Sequence, residues 1–477
     1  MASEELPRPI GTRPRFSGLL AATALGVYLL LVIGATTSLT GAASSCSTWP
    51  LCHTPVDPLS QTELTIVWGH RLAAVLVGAL VAASVAVAWL GDGVSGRVRY
   101  TLAAGTVLYL IQVGIGGVTA TMGSGAIAPG LHLALGITTF GVIVLALAWD
   151  LEDTTGSDDE VVDPAPEPTP AEDIEPRPEP TLPSSRLARA KLTAGAYLEM
   201  MKPRLMWLLC LVAAAGMALA AAGEATLDAY TVGATLLGGV LSIGASGTFN
   251  NVLERDVDER MNRTSDRPLV NDLVPVRNAV AFGLLLSAAS MAAFLTINAL
   301  AAALGLAAIL FYSVVYTLLL KPHTVQNTVI GGAAGALPAL IGWAAVTNEI
   351  GLPALALAGL IFLWTPAHFY NLALAYQDDY ARGGFPMMPV VRGETTTRKH
   401  IIYYIGATLV SAIALAWITT LGILYAATVV IFGGVFLWAA VRLHFEQSEP
   451  AAFRAFHASN AFLGAVLVAI FVDVLAF

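Results

Sequence analysis

Apolar residues run along this chain in stretches of about 20, each long enough to cross a bilayer core as a helix. They fall near 16–41, 65–90, 98–121 and 127–149, then near 204–222, 230–252, 277–298, 300–320, 326–346, 351–376, 399–420, 421–442 and 453–476. Gly and Ala are plentiful in the second series, as expected where helices pack closely in lipid. Between the two series lies a Pro/Glu-rich tract with too few apolar side chains to offset the entropy of ordering. The pattern predicts an all-α integral membrane protein: a four-helix bundle over 1–149, a disordered acidic linker over 150–194 and a nine-helix bundle over 195–477.

The 477 residues are 56% hydrophobic and 12% charged, with mean hydropathy +0.72, which excludes an ordinary soluble enzyme. No nucleic-acid partner is expected. The net charge of −9 misdescribes most of the surface: residues 150–183 hold twelve Asp or Glu against Arg177 alone, and taking that local −11 from −9 leaves +2 elsewhere. Lys and Arg orient the chain, because they favour cytoplasmic loops. Arg8, Arg13 and Arg15 place the N-terminus inside. Alternation then puts the linker, Lys202, Arg204, the 254–267 loop, Lys321, the 378–399 loop and Arg442 on the same side, with the C-terminus outside. The first apolar run is about twice as long as a signal-peptide core of about 7–15 residues, so it reads as a retained span. The expected location is the cell membrane, crossed many times.

Charged groups beside hydrocarbon are expensive and call for a ligand, a metal or water. At the end of one apolar run stands Asn250-Asn-Val-Leu-Glu254-Arg-Asp-Val-Asp258, trailed by Arg263 and Arg267. Asn250, Glu254 and Asp258 recur every four residues and share one helical face. Oxygen donors so arranged suit Mg²⁺, and arginines suit the phosphates that Mg²⁺ accompanies. A second acidic cluster, Asp378-Asp379, closes the run that carries His368, Tyr370 and Asn371, and the charge argument opens it on the same side. The expectation is two carboxylate clusters holding Mg²⁺ between them. Lys202, Arg204, Arg263, Arg267 and Lys321 would complete a diphosphate pocket. Solvated loop charges that only fix topology are the plainer alternative, yet topology needs no carboxylates at helical spacing.

Residues 250–269, with Met261-Asn-Arg263-Thr264 and Arg267-Pro268-Leu269, resemble the first aspartate-rich motif of the UbiA-type intramembrane prenyltransferases. Lys202-Pro203-Arg204, Lys321, the 327–338 Gly/Ala stretch, Pro366 to Tyr370, Asp378-Asp379-Tyr380 and Pro386-Met-Met-Pro-Val-Val391 narrow the resemblance to the heme O synthases. It covers about 195–477. Glu254 stands where the superfamily has Asp, and Pro322-His323 follow Lys321 where further basic residues are frequent. The resemblance implies farnesyl transfer from farnesyl diphosphate to a vinyl group of heme B. Its site would be Asn250, Glu254, Asp258, Asp378 and Asp379 on Mg²⁺, basic residues on diphosphate, and His368, Tyr370 and Asn371 lining the substrate pocket.

The first four spans carry Cys46-Ser-Thr-Trp-Pro-Leu-Cys52, His70-Arg71 and His132. An intramembrane histidine is often a helix–helix hydrogen-bonding group, but two in one four-helix unit are candidate heme-iron ligands. Cys46 and Cys52 fall on the oxidising side and are candidates for a disulfide. Residues 16–149 resemble half of a heme A synthase. Val67 stands where that family usually has Glu, which points to holding or passing heme rather than oxidising it. A heme A synthase or terminal-oxidase assembly is then a conceivable partner. Two rivals remain: prenylation of a quinone precursor or lipid, and a membrane heme carrier or transporter. Transporters tend to set coupling carboxylates near the bilayer midplane, whereas these stand at helix ends.

Overall fold

The computed structural model describes residues 13–39, 42–52, 61–122, 127–157, 167–168, 183–223 and 226–476. Four long helices come first: α1 (Arg13–Leu39), α2 (Thr62–Leu90), α3 (Gly96–Met122) and α4 (Ile127–Thr155). A shorter α5 (Arg186–Met200) leads into α6 (Pro203–Ala221) and α7 (Ala229–Leu253), followed by the single turn α8 (Arg255–Asp258). Next are α9 (Val276–Leu295), α10 (Ala299–Leu310) prolonged by a π-helix (Phe311–Leu320), α11 (Asn327–Thr347) and α12 (Leu352–Ala375). The short α13 (Gln377–Arg382) and α14 (Met388–Arg392) precede α15 (Glu394–Trp417), α16 (Ile423–Glu446) and α17 (Glu449–Ala476). No strand occurs among the described residues. Among the described residues thirteen helical segments are long and apolar enough to span a membrane, as the hydropathy pattern predicts.

From α6 onward the long helices pack in a ring. α6 touches α7 and α11, α7 touches α9, and the contacts continue through α10, α11, α12, α15 and α16 to α17, which closes back on α6 and α12. Helices α1 to α4 pack on one another, and α1 and α4 also lie against α15 and α16. One apolar core runs from Leu20 and Leu147 into Ile402 and Phe436, so the two helix groups share it.

The acidic stretch begins inside a helix. α4 continues through Asp150 to Thr155, and α5 starts at Arg186, so residues 150–155 and 186–194 are helical where a disordered linker was expected. Partners explain this. Asp150 accepts a hydrogen bond from the Ser17 hydroxyl at 2.6 Å, and Glu152 pairs with Arg97 at 2.8 Å and with Lys399. Ala196 and Met200 of α5 bury against Leu269 and Val274. Residues 158–166 and 169–182 of that expected linker lie outside the described residues.

These contacts also fix direction. Ser17 to Asp150 and Glu152 to Lys399 bring the start of α1, the end of α4 and the start of α15 to one end of the molecule. There Ser157 N–H donates to Thr395 Oγ1 (3.2 Å) and Gln447 Nε2 to the Thr155 carbonyl (2.7 Å). Midway along the seam, the Tyr28 hydroxyl donates to the Leu409 carbonyl at 3.1 Å.

Candidate active site

The helical register of α7 does not stop at its last residue. Glu254 N–H bonds the Asn250 carbonyl (2.9 Å) and Asp258 N–H bonds the Glu254 carbonyl (2.7 Å), carrying the register into α8. Asn250, Glu254 and Asp258 therefore keep to one face, and all three are buried. Three cations meet them. Lys202 Nζ donates to Asn250 Oδ1, Lys321 Nζ lies 2.6 Å from Glu254 Oε1, and Arg267 pairs with Asp258 Oδ2. Arg267 also reaches within 3.9 Å of Glu254 Oε2.

Local backbone devices aim these side chains. Lys202 precedes Pro203 at the start of α6 with φ 57°, a left-handed turn that brings its side chain back toward α7. Gly247 permits the approach, since a Cβ there would meet the Met200 carbonyl oxygen at 2.8 Å and Lys202 Cγ at 3.2 Å. The π-helix after α10 ends with Lys321 N–H bonded to the Tyr316 carbonyl (2.8 Å), five residues back. Such bulges inside α-helices frequently mark functional sites. From it, Thr317 Oγ1 accepts from Asn250 Nδ2 (3.1 Å), and the Tyr312 hydroxyl lies 3.4 Å from Lys202 Nζ. The largely apolar run 311–320 gives no sequence signal that Tyr312 and Thr317 lie against this cluster.

Burial and charge pull against each other here. Burial works to raise the Glu254 carboxyl, but Lys321, Lys202 and Arg267 outweigh it and hold it below its ordinary value. At Asp258 burial prevails over Arg267 and, with Glu254 adding, the carboxyl is pushed up. Burial, aided by Arg267, lowers the Lys202 ammonium to about 7, and burial lowers Lys321 against the pull of Glu254. Three cations face two carboxylates, so the cluster carries surplus positive charge when all are ionised. Charge that is even half-buried in this way is costly unless an anion completes it.

The second acidic cluster meets the same loop, but in a different role. Asp379 accepts the backbone N–H groups of Asn262 (3.1 Å) and Arg263 (3.0 Å) and pairs with Arg382. It pins the 254–267 loop rather than offering free oxygens. Asp378 is exposed and makes no side-chain bond among the described residues, because the helix breaks at Tyr376 (φ −120°, ψ 31°) and restarts with Asp379 turned inward. Arg263 donates to the Tyr380 hydroxyl (2.8 Å), its guanidinium 4.6 Å from that ring and 5.0 Å from the Tyr376 ring. Arg204 is exposed at the start of α6 and its side chain bonds nothing among the described residues, so it stays outside the cluster. His368 is likewise elsewhere. It stacks between Trp364 (4.2 Å) and Phe456 (4.4 Å), with Nδ1 2.7 Å from Ser459 Oγ, and so braces α12 against α17. Tyr370 and Asn371 are buried, and the Tyr370 hydroxyl and Asn371 Oδ1 have no partner.

The donor set fits a divalent cation in one respect. Asp258 Oδ1 is buried without a hydrogen-bond partner, beside Glu254 and Asn250 on the same face. A buried orphan carboxylate oxygen calls for a donor or a metal. No cluster of three or more carboxylate, His or Cys groups suited to a metal is assembled among the described residues, because Asp379 is spent on the loop and Asp378 points away.

At the other end of the molecule, Cys46 and Cys52 form a disulfide. Arg71 donates to the Pro50 carbonyl (3.1 Å) and Trp49 lies on Gly117, which ties this loop down over α2 and α3. The His70 ring seats on Gly34 and the His132 ring on Gly116, where a Cβ would come within 3.2 Å and 3.1 Å of the imidazoles. The Nδ1 atoms of both are buried without partners.

Residues 209–466 match the UbiA prenyltransferase family. A protoheme IX farnesyltransferase of Haloarcula marismortui is 64% identical over 97% of this chain and 98% of that one. The chain belongs to the protoheme IX farnesyltransferases of the UbiA family. In fold the enzyme resembles a digeranylgeranylglyceryl phosphate synthase (TM-score 0.51, 16% identity, 60% of this chain and 100% of that one). A UbiA homologue of Archaeoglobus fulgidus bound to DMAPP and Mg²⁺ is a weaker structural match (TM-score 0.43, 16% identity, 57% of this chain and 98% of that one).

Proposed function

We propose that the enzyme transfers the farnesyl group of farnesyl diphosphate to a vinyl group of protoheme IX (heme B), releasing diphosphate and yielding heme O. The bond between farnesyl C1 and the diphosphate oxygen breaks, the vinyl carbon forms the new carbon–carbon bond, and water supplies the hydroxyl of the resulting side chain. The observation that carries this reading is the surplus of cations, the buried Lys321 with the half-buried Lys202 and Arg267, over the buried Glu254 and Asp258. A diphosphate supplies the missing negative charge. On binding it draws Lys321 and Arg267 from their carboxylates toward phosphate oxygens, with Arg263 beside them, and frees Glu254 and Asp258.

Asn250, Glu254 and Asp258 would hold Mg²⁺, which when bound offsets charge on the departing diphosphate. The protein's cations stabilise the same developing charge, and burial strengthens each contact. Asp379 keeps Arg263 and the loop in place. Tyr370 and Asn371 present open polar atoms to the acceptor, and the apolar helices keep water from the allylic cation. The end bearing this cluster faces the cytoplasm. Residues 1–149 form a heme-holding unit through His70 and His132, whose unpartnered nitrogens suit iron, and 195–477 form the transferase.

The test is Mg²⁺-dependent diphosphate release from farnesyl diphosphate, with heme O followed by mass. Asp258→Ala should lower the rate by roughly 100-fold or more. Full heme O production by that variant would sink the assignment.

A further inference from the structure

The face of α7 that leads to Glu254 and Asp258 begins with an amide, Asn250, and an amide has two unlike ends. Its oxygen accepts hydrogen bonds and can ligate a hard cation, whereas its nitrogen only donates. The partners decide which end points where. Lys202 Nζ carries donors alone, so the atom of Asn250 that meets it is Oδ1. On the other side stands Thr317, whose Oγ1 lies 3.1 Å from Asn250 Nδ2. Asn250 and Thr317 are both buried, so a mismatched contact between them would be costly.

Thr317 accepts from the amide because its own proton is committed elsewhere. The hydroxyl donates to the Tyr312 carbonyl, five residues back along the π-helix, at 2.9 Å. A carbonyl cannot donate, so only the lone pairs of Thr317 Oγ1 remain to face α7. Turned over, the amide would set Oδ1 against those lone pairs and its NH2 group against the Lys202 ammonium. Two independent constraints therefore give the same orientation. They are not equally durable. An ammonium drawn toward a diphosphate releases Oδ1, and Thr317 then holds the amide by itself.

We propose that Thr317 is a positioning residue for the transfer reaction: it keeps the Asn250 oxygen aimed at the divalent cation that accompanies the diphosphate. This rests on the reading above in which Asn250, Glu254 and Asp258 hold that cation, and it adds the residue that makes a neutral amide a dependable ligand beside two carboxylates. A hydroxyl that only braced the π-helix through the Tyr312 carbonyl would affect stability and leave metal affinity alone.

The test measures Mn²⁺ retained by the full-length enzyme in lipid nanodiscs, by equilibrium dialysis at a fixed concentration of inorganic diphosphate, with the thermal midpoint recorded alongside. Thr317→Val should weaken Mn²⁺ binding about tenfold. Thr317→Ala, which puts no methyl group against the Tyr312 carbonyl, should do the same. Thr317→Ser keeps the hydroxyl and should hold the affinity within about twofold of the unaltered enzyme. In an Asn250→Ala background Thr317→Val should cost nothing further, since the two side chains act as one unit. Unchanged Mn²⁺ affinity in both Thr317→Val and Thr317→Ala, a serine variant as weak as the valine one, or a loss that persists in the Asn250→Ala background would each overturn the proposal. Asn250→Ala by itself separates the two levels. If it weakens Mn²⁺ binding while Thr317→Val does not, the metal assignment stands and only the role of Thr317 falls; if it leaves Mn²⁺ binding intact, the assignment of Asn250 falls and takes the proposal with it.

Discussion

The molecule buries polar groups at both ends, and it does so in opposite ways. Around Glu254 and Asp258 the groups are charged and held to one another: each carboxylate has a cation, and a third cation, Lys202, bonds the neutral Asn250. Around His70 and His132 no carboxylate partner occurs among the described residues; two imidazoles rest on glycines with their Nδ1 atoms unbonded. A neutral, unpartnered ring is tolerable in an apolar bundle, whereas an unpartnered charge is not. One end is thus a tensioned network whose members depend on one another. The other is a pair of rings that do not.

That contrast is open to attack, most forcefully at Lys321. Lys321→Ala leaves Glu254 buried without its nearest cation, and the expected loss is about 3–5 kcal/mol of stability, read as a fall in thermal midpoint. The double change Lys321→Met with Glu254→Gln should recover much of that stability without recovering diphosphate release. His70→Ala should behave differently, keeping the thermal midpoint and diphosphate release near those of the unaltered enzyme while removing heme absorbance. A large stability loss there would mean the histidine end is also a compensated network. The smallest effect concerns pH. Lys202 is charged below about 7 and neutral above it, so its attraction for diphosphate is present at low pH and fades as pH rises through that value. KM for farnesyl diphosphate should climb a few-fold on the alkaline side, and Lys202→Arg, which stays charged, should flatten the climb.

What the sequence disclosed follows the same division. Glu254, Asp258, Arg267, Lys202 and Lys321 were legible because ionised groups beside apolar runs demand partners, and they turn out to be one another's partners. The thirteen spans were legible from hydropathy alone. Asp378 and Asp379 look equivalent in the sequence, since spacing along a helix says nothing about the break at Tyr376 that sends one outward and the other to backbone N–H groups. His368 sat on the right stripe, but aromatic neighbours brought in from α17 claimed it. Tyr312 and Thr317 could not have been found at all, because a π register has no mark in an apolar segment. The clasp of Glu152 on Lys399 was hidden by a composition that resembles unfolded chain.

Position 202 answers to two incompatible demands. Its backbone sits where glycine is most comfortable, while its side chain must reach Asn250 bearing an ammonium that glycine lacks. A glycine there would relax the turn and remove the Asn250 contact in one stroke. Folding and chemistry therefore pull a single residue in opposite directions, and the lysine records which of them prevailed.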